Sequence, residues 1–328
     1  MRIAITGASG HIGANLCRQL IENGHQINAL MYKDNKAIKG LSLQQIRGNV
    51  MDSTSLEKLV KDCEVVMHLA AVISIGSKES DKDLIINTTG TQNIINACKK
   101  QGVRKLIHFS SIHAFEQRPL FEKLDETRWG VSQKGFNYDI SKHNSEDLVI
   151  KASNEGLECV ILNPTAVLGP YDFKPSLLGQ TLLRLKKGTL PAIVPGGFDW
   201  VDVRDVAAAA ISAIEYGRNG EKYLLGGTYK SLKELVSLIS TQTSINKPRI
   251  NCPYPFVLLG LPFLNMWSKL NKKEPLYTKM SLDTLKYSNR FISHQKAEKE
   301  LLYRPRPLEE TLKDAYLWFN KNGYYDES

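Results

Sequence analysis

The string Thr6-Gly-Ala-Ser-Gly-His-Ile-Gly13 restricts this chain more than any other part of it. It follows a short apolar run, Arg2–Thr6, and leads into Ile12–Asn23, where apolar residues recur at helical spacing. Strand, glycine turn and helix in immediate succession make a βα turn able to approach an anion. Gly7 permits the tight turn, Gly10 lets backbone come close to a pyrophosphate, and Gly13 lets the helix pack on the strand. The helix start then offers unpaired N–H groups and a positive dipole end. A plain βα turn is the competing reading. The flanking elements favour dinucleotide binding, with Thr6, Gly7, Ser9, Gly10, His11, Ile12 and Gly13 as contact residues.

The alternation continues through residue 165. Gln26–Met31, Glu64–Leu69, Lys105–Ser110 and Glu158–Asn163 are near-continuous apolar runs, as expected of strands covered on both faces. Leu84–Gln101 places Leu84, Ile85, Thr88, Thr91, Ile94, Ile95 and Cys98 on one helical stripe, and Gly24 and Gly102 act as helix stops. The pattern predicts an α/β fold with a doubly wound parallel sheet. After Pro164 the texture changes. Helix-like segments (Leu177–Lys187, Val203–Tyr216, Leu232–Thr241) alternate with Gly/Pro-rich loops at Leu190–Gly197 and Lys247–Pro255, and only Lys222–Leu225 reads as a further strand. The expected organisation is a dinucleotide-binding domain over residues 1–164, its sheet completed by elements of 199–226. A smaller, mostly helical substrate-binding region follows over 165–328.

Composition closes off other classes. A chain of 328 residues with 42% hydrophobic content can bury a sizeable core. Lys and Arg number 43 against 34 Asp and Glu, but no run of five like charges exists, so the +9 excess does not mark a nucleic-acid binder. Cys17, Cys63, Cys98, Cys159 and Cys252 lie far apart with no C-x-x-C pair and read as small hydrophobes in a reducing compartment. The seven histidines show no metal-ligand spacing, so no metal is expected. Met1-Arg2 runs straight into a strand, without a secretory signal. The most apolar window, Phe256 to Trp267, contains Pro262 and falls far short of the roughly 20 residues of a spanning helix. These features predict a soluble, cytoplasmic protein with no stable membrane insertion.

The tip of the second strand bears on cofactor choice. An acid about 20 residues past the glycine loop takes an adenosine 2′-hydroxyl, whereas a base accommodates a 2′-phosphate. Here the stretch is Met31-Tyr32-Lys33-Asp34. Lys33, with Lys36 nearby, favours NADP; Asp34 keeps NAD possible, and solvated lysines are the plainer alternative.

Two further strings carry chemistry. Tyr138-Asp-Ile-Ser-Lys142 opens a helical run, and the i, i+4 spacing puts phenol and ammonium on one face. A free tyrosine has a pKa near 10; an adjacent cation is expected to lower it, so that the phenol exchanges a proton with a carbonyl/alcohol oxygen. Phe109-Ser-Ser111-Ile-His113-Ala114 lies at the C-terminal end of the Lys105–Ser110 strand, where ligands of open parallel sheets bind.

Together these strings resemble the extended short-chain dehydrogenases/reductases, the family of nucleotide-sugar epimerases, 3β-hydroxysteroid dehydrogenases and dihydroflavonol 4-reductases. The resemblance runs almost end to end. It takes in His68-Leu69-Ala70-Ala71, Asn87-Thr-Thr-Gly90-Thr91, Asn163-Pro164…Gly169-Pro170, Trp200-Val-Asp202-Val-Arg-Asp205 and Pro305-Arg-Pro-Leu308. It implies a Rossmann sheet and an NADP-dependent or NAD-dependent oxidoreductase acting on a small-molecule carbonyl or hydroxyl substrate. Tyr138 would be the acid/base, Lys142 would bind the nicotinamide ribose, and Ser111 would hold the substrate oxygen. Asp52 would face adenine, Leu69, Ala70 and Ala71 would line the cofactor, and Asn163 and Pro164 would sit beside the nicotinamide. Asn87 would tie its helix to the neighbouring strand. Extended members commonly form homodimers through two helices per subunit, here Leu84–Lys100 and Asp139–Asn154.

Within the family, sugar-nucleotide enzymes usually carry an Arg just before the aromatic-x-x-Val-x-Asp segment to clamp the diphosphate. Phe198 occupies that place in Gly196-Gly197-Phe198-Asp199-Trp200-Val201-Asp202, leaving Arg204 downstream and Arg290 as a single charge. The nearest likeness is the dihydroflavonol reductase-like branch, with reduction of a ketone or aldehyde. Phe173, Phe198, Trp200 and His113 are the candidate substrate residues, against a plain packing role, and Phe115 belongs to the same apolar surroundings. Two alternatives stay open: an NAD-dependent sugar epimerase or dehydratase, and a dinucleotide-sensing regulator on the same fold.

Overall fold

A computed structural model of the chain describes residues 1–73, 81–133, 135–190, 192–242, 251–270 and 278–325. Its strands are β1 Arg2–Thr6, β2 Gln26–Met31, β3 Gln44–Arg47, β4 Val65–His68, β5 Lys105–Phe109, β6 Glu158–Pro164, β7 Ala166–Leu168, β8 Gly197–Asp202, β9 Lys222–Leu225 and β10 Thr228–Ser231. The helices are α1 His11–Glu22, α2 Ser53–Val60, α3 Asp81–Gln101, α4 Asn137–Asn154, α5 Leu177–Lys186, α6 Val203–Glu215, α7 Leu232–Gln242, α8 Tyr254–Leu270, α9 Lys279–Lys286, α10 Gln295–Leu301 and α11 Leu308–Lys321.

Seven strands form one sheet in the order β3-β2-β1-β4-β5-β6-β9, and every pairing is parallel. The order reverses between β1 and β4, which opens a crevice at their carboxyl ends, where ligands of doubly wound sheets bind. The apolar runs follow from that position. Ile3 and Ile5 of β1 enter the core on one face while Ala4 enters the core on the other, so alternation is lost because both faces are covered.

Two expectations need correction. Of residues 199–226, only β9 completes the main sheet; β8 pairs with β7 and β10 in a separate three-stranded sheet. β10 and the edge strand β3 also escape a hydrophobicity reading, because Thr-Tyr-Lys-Ser and Gln-Gln-Ile-Arg are largely polar and only partly covered. The helical stripe starting at Leu84 is buried from Thr91 onward, whereas Ile85 is 54% exposed, since the first turns of α3 extend beyond the cover that buries Ile94, Ile95 and Cys98.

The first core does not stop at residue 164. Val201, Val206, Tyr223, Leu225, Ala297, Leu301 and Tyr303 share it with Ile3 and Ile5. A second core gathers Leu168, Leu182, Trp200, Leu235, Leu282, Leu312 and Phe319 around the smaller sheet. Burial pushes the thiols of Cys63 up to about 11 and of Cys17 and Cys159 up to about 12, in keeping with small core residues; Cys252 is half-buried.

The apolar window at 256–267 lies on α8, with Pro262 inside the helix. Val257 and Leu261 are buried, Phe256 and Leu259 are exposed, and the side chains of residues 263–267 lie outside the described ones. Residue 191 of the first Gly/Pro-rich loop and 247–250 of the second also lie outside them. Among the described residues no helix is long and apolar enough to cross a membrane, and no cluster of side chains suits a metal ion.

Candidate active site

The glycine loop sits at the carboxyl end of β1. Gly7 has φ +75°, and a Cβ there would stand 2.8 Å from the Ala70 nitrogen. A Cβ on Gly13 would meet the Gly7 carbonyl oxygen at 2.2 Å, so the helix packs on the loop only without one. The first turn of α1 carries neither a capping side chain nor an acid, which leaves its N–H groups to an anion. These features fit a dinucleotide pyrophosphate. His11 Nε2 donates to the Pro170 carbonyl at 3.1 Å, joining the loop to the segment after β7.

Thr6 has an internal task. Its hydroxyl accepts from the Leu69 and Ala70 N–H groups at 3.2 and 3.1 Å and lies 2.7 Å from His68 Nδ1. This fixes the chain from Leu69 to Ala71 beside the glycine turn. Asn87 accepts from the Val72 N–H at 2.7 Å and donates to the Val72 carbonyl and the Ser141 hydroxyl, each at 3.0 Å. It thus ties α3 to the segment after β4 and to α4.

At the tip of β2, Lys33 is exposed and lies over the Tyr32 ring at 5.0 Å. Asp34 caps the Lys36 N–H at 2.8 Å and is turned into its own loop. The parallel register sets exposed Arg47 beside Met31, adding a cation to this edge that the sequence did not single out. Only the pairing of the polar strand β3 reveals it. Asp52 is exposed and caps α2 by accepting from the Thr54 N–H at 3.1 Å.

Tyr138, Ser111 and Lys142 converge at the carboxyl end of β5. Ser111 caps a short 3-10 turn, Ile112–Ala114, and Tyr138 opens α4. The Ser111 side chain neighbours the Tyr138 phenol, and Lys142 Nζ stands 5.9 Å from the Tyr138 ring centroid. Lys142 donates to the Phe109 carbonyl at 3.0 Å. The spacing predicts a phenol lowered by the lysine; the structure gives the opposite direction. Burial pushes Tyr138 well above its ordinary range, opposed by the Ser111 hydrogen bond and reinforced by Asp139. Burial also lowers Lys142 to about 8, with Glu146 acting against that shift. A protonated phenol with a hydroxyl partner can donate a proton to an oxygen that is gaining negative charge.

Asn163 is fully buried. Its Nδ2 donates to the Ser111 carbonyl at 3.0 Å and to Glu146 Oε1 at 2.5 Å, so it braces the segment after β5 from behind. Its Oδ1 has no partner among the described residues. Pro164 is buried at the end of β6. Glu146 was readable in sequence as the next i+4 step after Tyr138 and Lys142; its partner Lys222 on β9 was not.

The candidate substrate residues divide. His113 is half-buried, 3.0 Å from Asp139 Oδ1 and edge-on to the Tyr138 ring at 5.5 Å. Trp200 belongs to the second core, with its indole N–H donated to the Lys230 carbonyl at 2.9 Å. That full engagement corrects the expectation of a substrate contact. Phe173 is likewise engaged elsewhere, edge-on to Trp318 at 4.9 Å and 5.3 Å from the Arg18 guanidinium. Phe198 is half-buried against Trp200. Phe115 is buried beside Leu124 and Leu224. Arg204 sits on α6, bound to Asp202 and Asp314 at 2.7 Å each, and Arg290 lies between the Phe121 and Tyr229 rings at 5.7 and 5.8 Å.

Residues 3–226 match the family described as NAD dependent epimerase/dehydratase. The chain is 31% identical to sterol demethylase protein B of Methylococcus capsulatus, over 98% of this chain and 99% of that protein. It is 30% identical to a putative dihydroflavonol 4-reductase of Synechocystis, over 98% and 95%. The crystal structure of gox2253 superposes with a TM-score of 0.83 at 29% identity, covering 98% of each chain.

Proposed function

The chain belongs to the NAD-dependent epimerase/dehydratase family, and within it we propose an NADP-dependent reductase of a ketone or aldehyde on a small, non-nucleotide substrate. The observation that carries this reading is the buried Tyr138 phenol, pushed up by burial and so held protonated, on the same helix face as Lys142 and next to Ser111 at the carboxyl end of the parallel sheet. Ser111 would hold the substrate oxygen, and Tyr138 would give it a proton and regain one from water. When bound, the nicotinamide supplies the hydride to the carbonyl carbon. Lys142 adds positive charge beneath the developing phenolate.

Lys33 and Arg47, two exposed cations at adjoining strand ends, support NADP, as does the engagement of Asp34 in its own turn. Phe198 in the clamp position supports a substrate without a diphosphate, and so do the carboxylates that occupy Arg204. The relative named as a putative dihydroflavonol 4-reductase points the same way. The same reading takes in a homodimer through α3 and α4, a division of labour between residues 1–164 and 165–328, and a reducing, cytoplasmic setting.

The test is a panel of ketones and aldehydes followed by NADPH and NADH absorbance. Turnover with NADPH, several-fold above NADH, is expected. Stoichiometric NAD retained through purification, with no NADPH oxidation, would instead establish the epimerase or dehydratase reading.

A further inference from the structure

Glu146 has no exposed surface and lies on the face of α4 that carries Tyr138 and Lys142, at successive four-residue steps. A carboxylate placed there is costly unless it is paired. Asn163 Nδ2 donates to Oε1 at 2.5 Å, and the same nitrogen donates to the Ser111 carbonyl at 3.0 Å. From β9, Lys222 Nζ stands 2.5 Å from Oε2 and also covers the Phe115 ring at 5.3 Å. One carboxylate therefore touches the brace behind Ser111 and lies one helical turn from Lys142.

The other titratable groups facing Lys142 are Tyr138 on its own helix, His68 from β4 and His108 from β5. Burial lowers His68 to about 3 and His108 well below its ordinary value, so neither imidazole carries charge at neutral pH. Glu146 is the group that works against the desolvation of the Lys142 ammonium.

We propose that Glu146 is a positioning residue for the reduction. Anchored by Lys222, it holds the Asn163 amide against the Ser111 carbonyl and serves as the fixed counter-charge of Lys142 beneath Tyr138. This rests on the reductase reading above. A merely structural ion pair between α4 and β9 would govern melting temperature alone. A positioning role also governs the ionisation of Lys142.

Glu146→Gln separates the two, because the amide keeps an acceptor for Asn163 and removes only the charge. The titration of the Lys142 ¹³Cε resonance is followed in the whole, ¹³C-lysine-labelled chain, alongside the pH profile of kcat with NADPH. The expected result is a Lys142 midpoint lowered by about one pH unit, with the alkaline limb of kcat moving down with it. The double variant Glu146→Gln/Lys222→Met leaves neither member of the pair as an unpaired buried charge; its midpoint moves in the same direction and by less. A midpoint and limb unmoved in both variants, whatever happens to melting temperature, overturn the proposal. A shifted midpoint in a protein that turns over no carbonyl keeps the Glu146–Lys142 coupling and overturns the reductase reading instead.

Discussion

His113 Nδ1 lies 3.0 Å from Asp139 Oδ1, and the imidazole stands edge-on to the Tyr138 ring, 5.5 Å between centroids. With Nδ1 committed to the carboxylate, Nε2 is the ring nitrogen that, on the proposed reductase reading, would meet a substrate atom. His113→Ala is predicted to raise KM for the carbonyl substrate about tenfold, the loss of one hydrogen bond. The dissociation constant for NADPH stays unchanged. Steady-state kinetics with a parallel fluorescence titration check both, and an unaltered KM removes His113 from the substrate site.

Tyr138→Phe removes the proton and keeps the ring. We predict a fall in kcat of about 10²–10⁴-fold, the usual scale of general acid catalysis, with NADPH binding retained. Turnover within a few-fold of wild type would take Tyr138 out of the chemistry.

Folding stability should fall in acid through the buried imidazoles. His68 is lowered to about 3 and His108 well below 6.5, both by burial, so the unfolded chain binds protons that the folded one refuses. Stability from these groups is present above pH 6.5 and is lost as pH falls towards 3, at about 1.4 kcal/mol per pH unit for each proton. Both ring nitrogens of His108 lack partners among the described residues, so His108→Leu should flatten the curve of unfolding midpoint against pH. An equally steep curve for the variant refutes the assignment.

Arg47 is in register with Met31, two residues before Lys33, and both cations are exposed. The double variant Lys33→Ala/Arg47→Ala is predicted to raise KM for NADPH about tenfold or more while leaving KM for NADH nearly constant, because only the former carries the extra phosphate. Equal effects on both cofactors would place the two cations elsewhere.

Gly13→Ala forces a Cβ to 2.2 Å from the Gly7 carbonyl oxygen. Overpacking of this kind costs about 1–3 kcal/mol. The shift also displaces the amides at the start of α1, so melting temperature and NADPH affinity should fall together. Gly24→Ala, where a Cβ meets nothing within 4 Å but φ is +76°, should lower melting temperature alone.

Much of the architecture is legible along the chain because a strand covered on both faces leaves an uninterrupted apolar run, as in β1, β5 and β6. The polar strands β3 and β10 leave no such mark, and their pairing is a property of register. Tyr138 and Lys142 declare themselves by helical spacing, and Ser111 by its place at a strand end. Their electrostatics do not. The direction in which the Tyr138 phenol moves depends on burial, which a four-residue interval does not encode. Trp200 has the size of a pocket wall, and only its burial in the second core and its bond to the Lys230 carbonyl reveal packing; the sequence is equally silent on the contact of half-buried Phe173 with Trp318.

The core shared by Ile3 and Ile5 with Ala297, Leu301 and Tyr303 has a consequence for biosynthesis. Tyr303 also donates its hydroxyl to the Gly226 carbonyl at 2.7 Å, and Arg306 grips Asp205 at 2.7 Å. A ribosome releases β1 long before it releases the residues that finish its cover. The nascent chain therefore carries an apolar face open to its surroundings through most of translation. A chain that ended ahead of Tyr303 would lack part of the cover over that core.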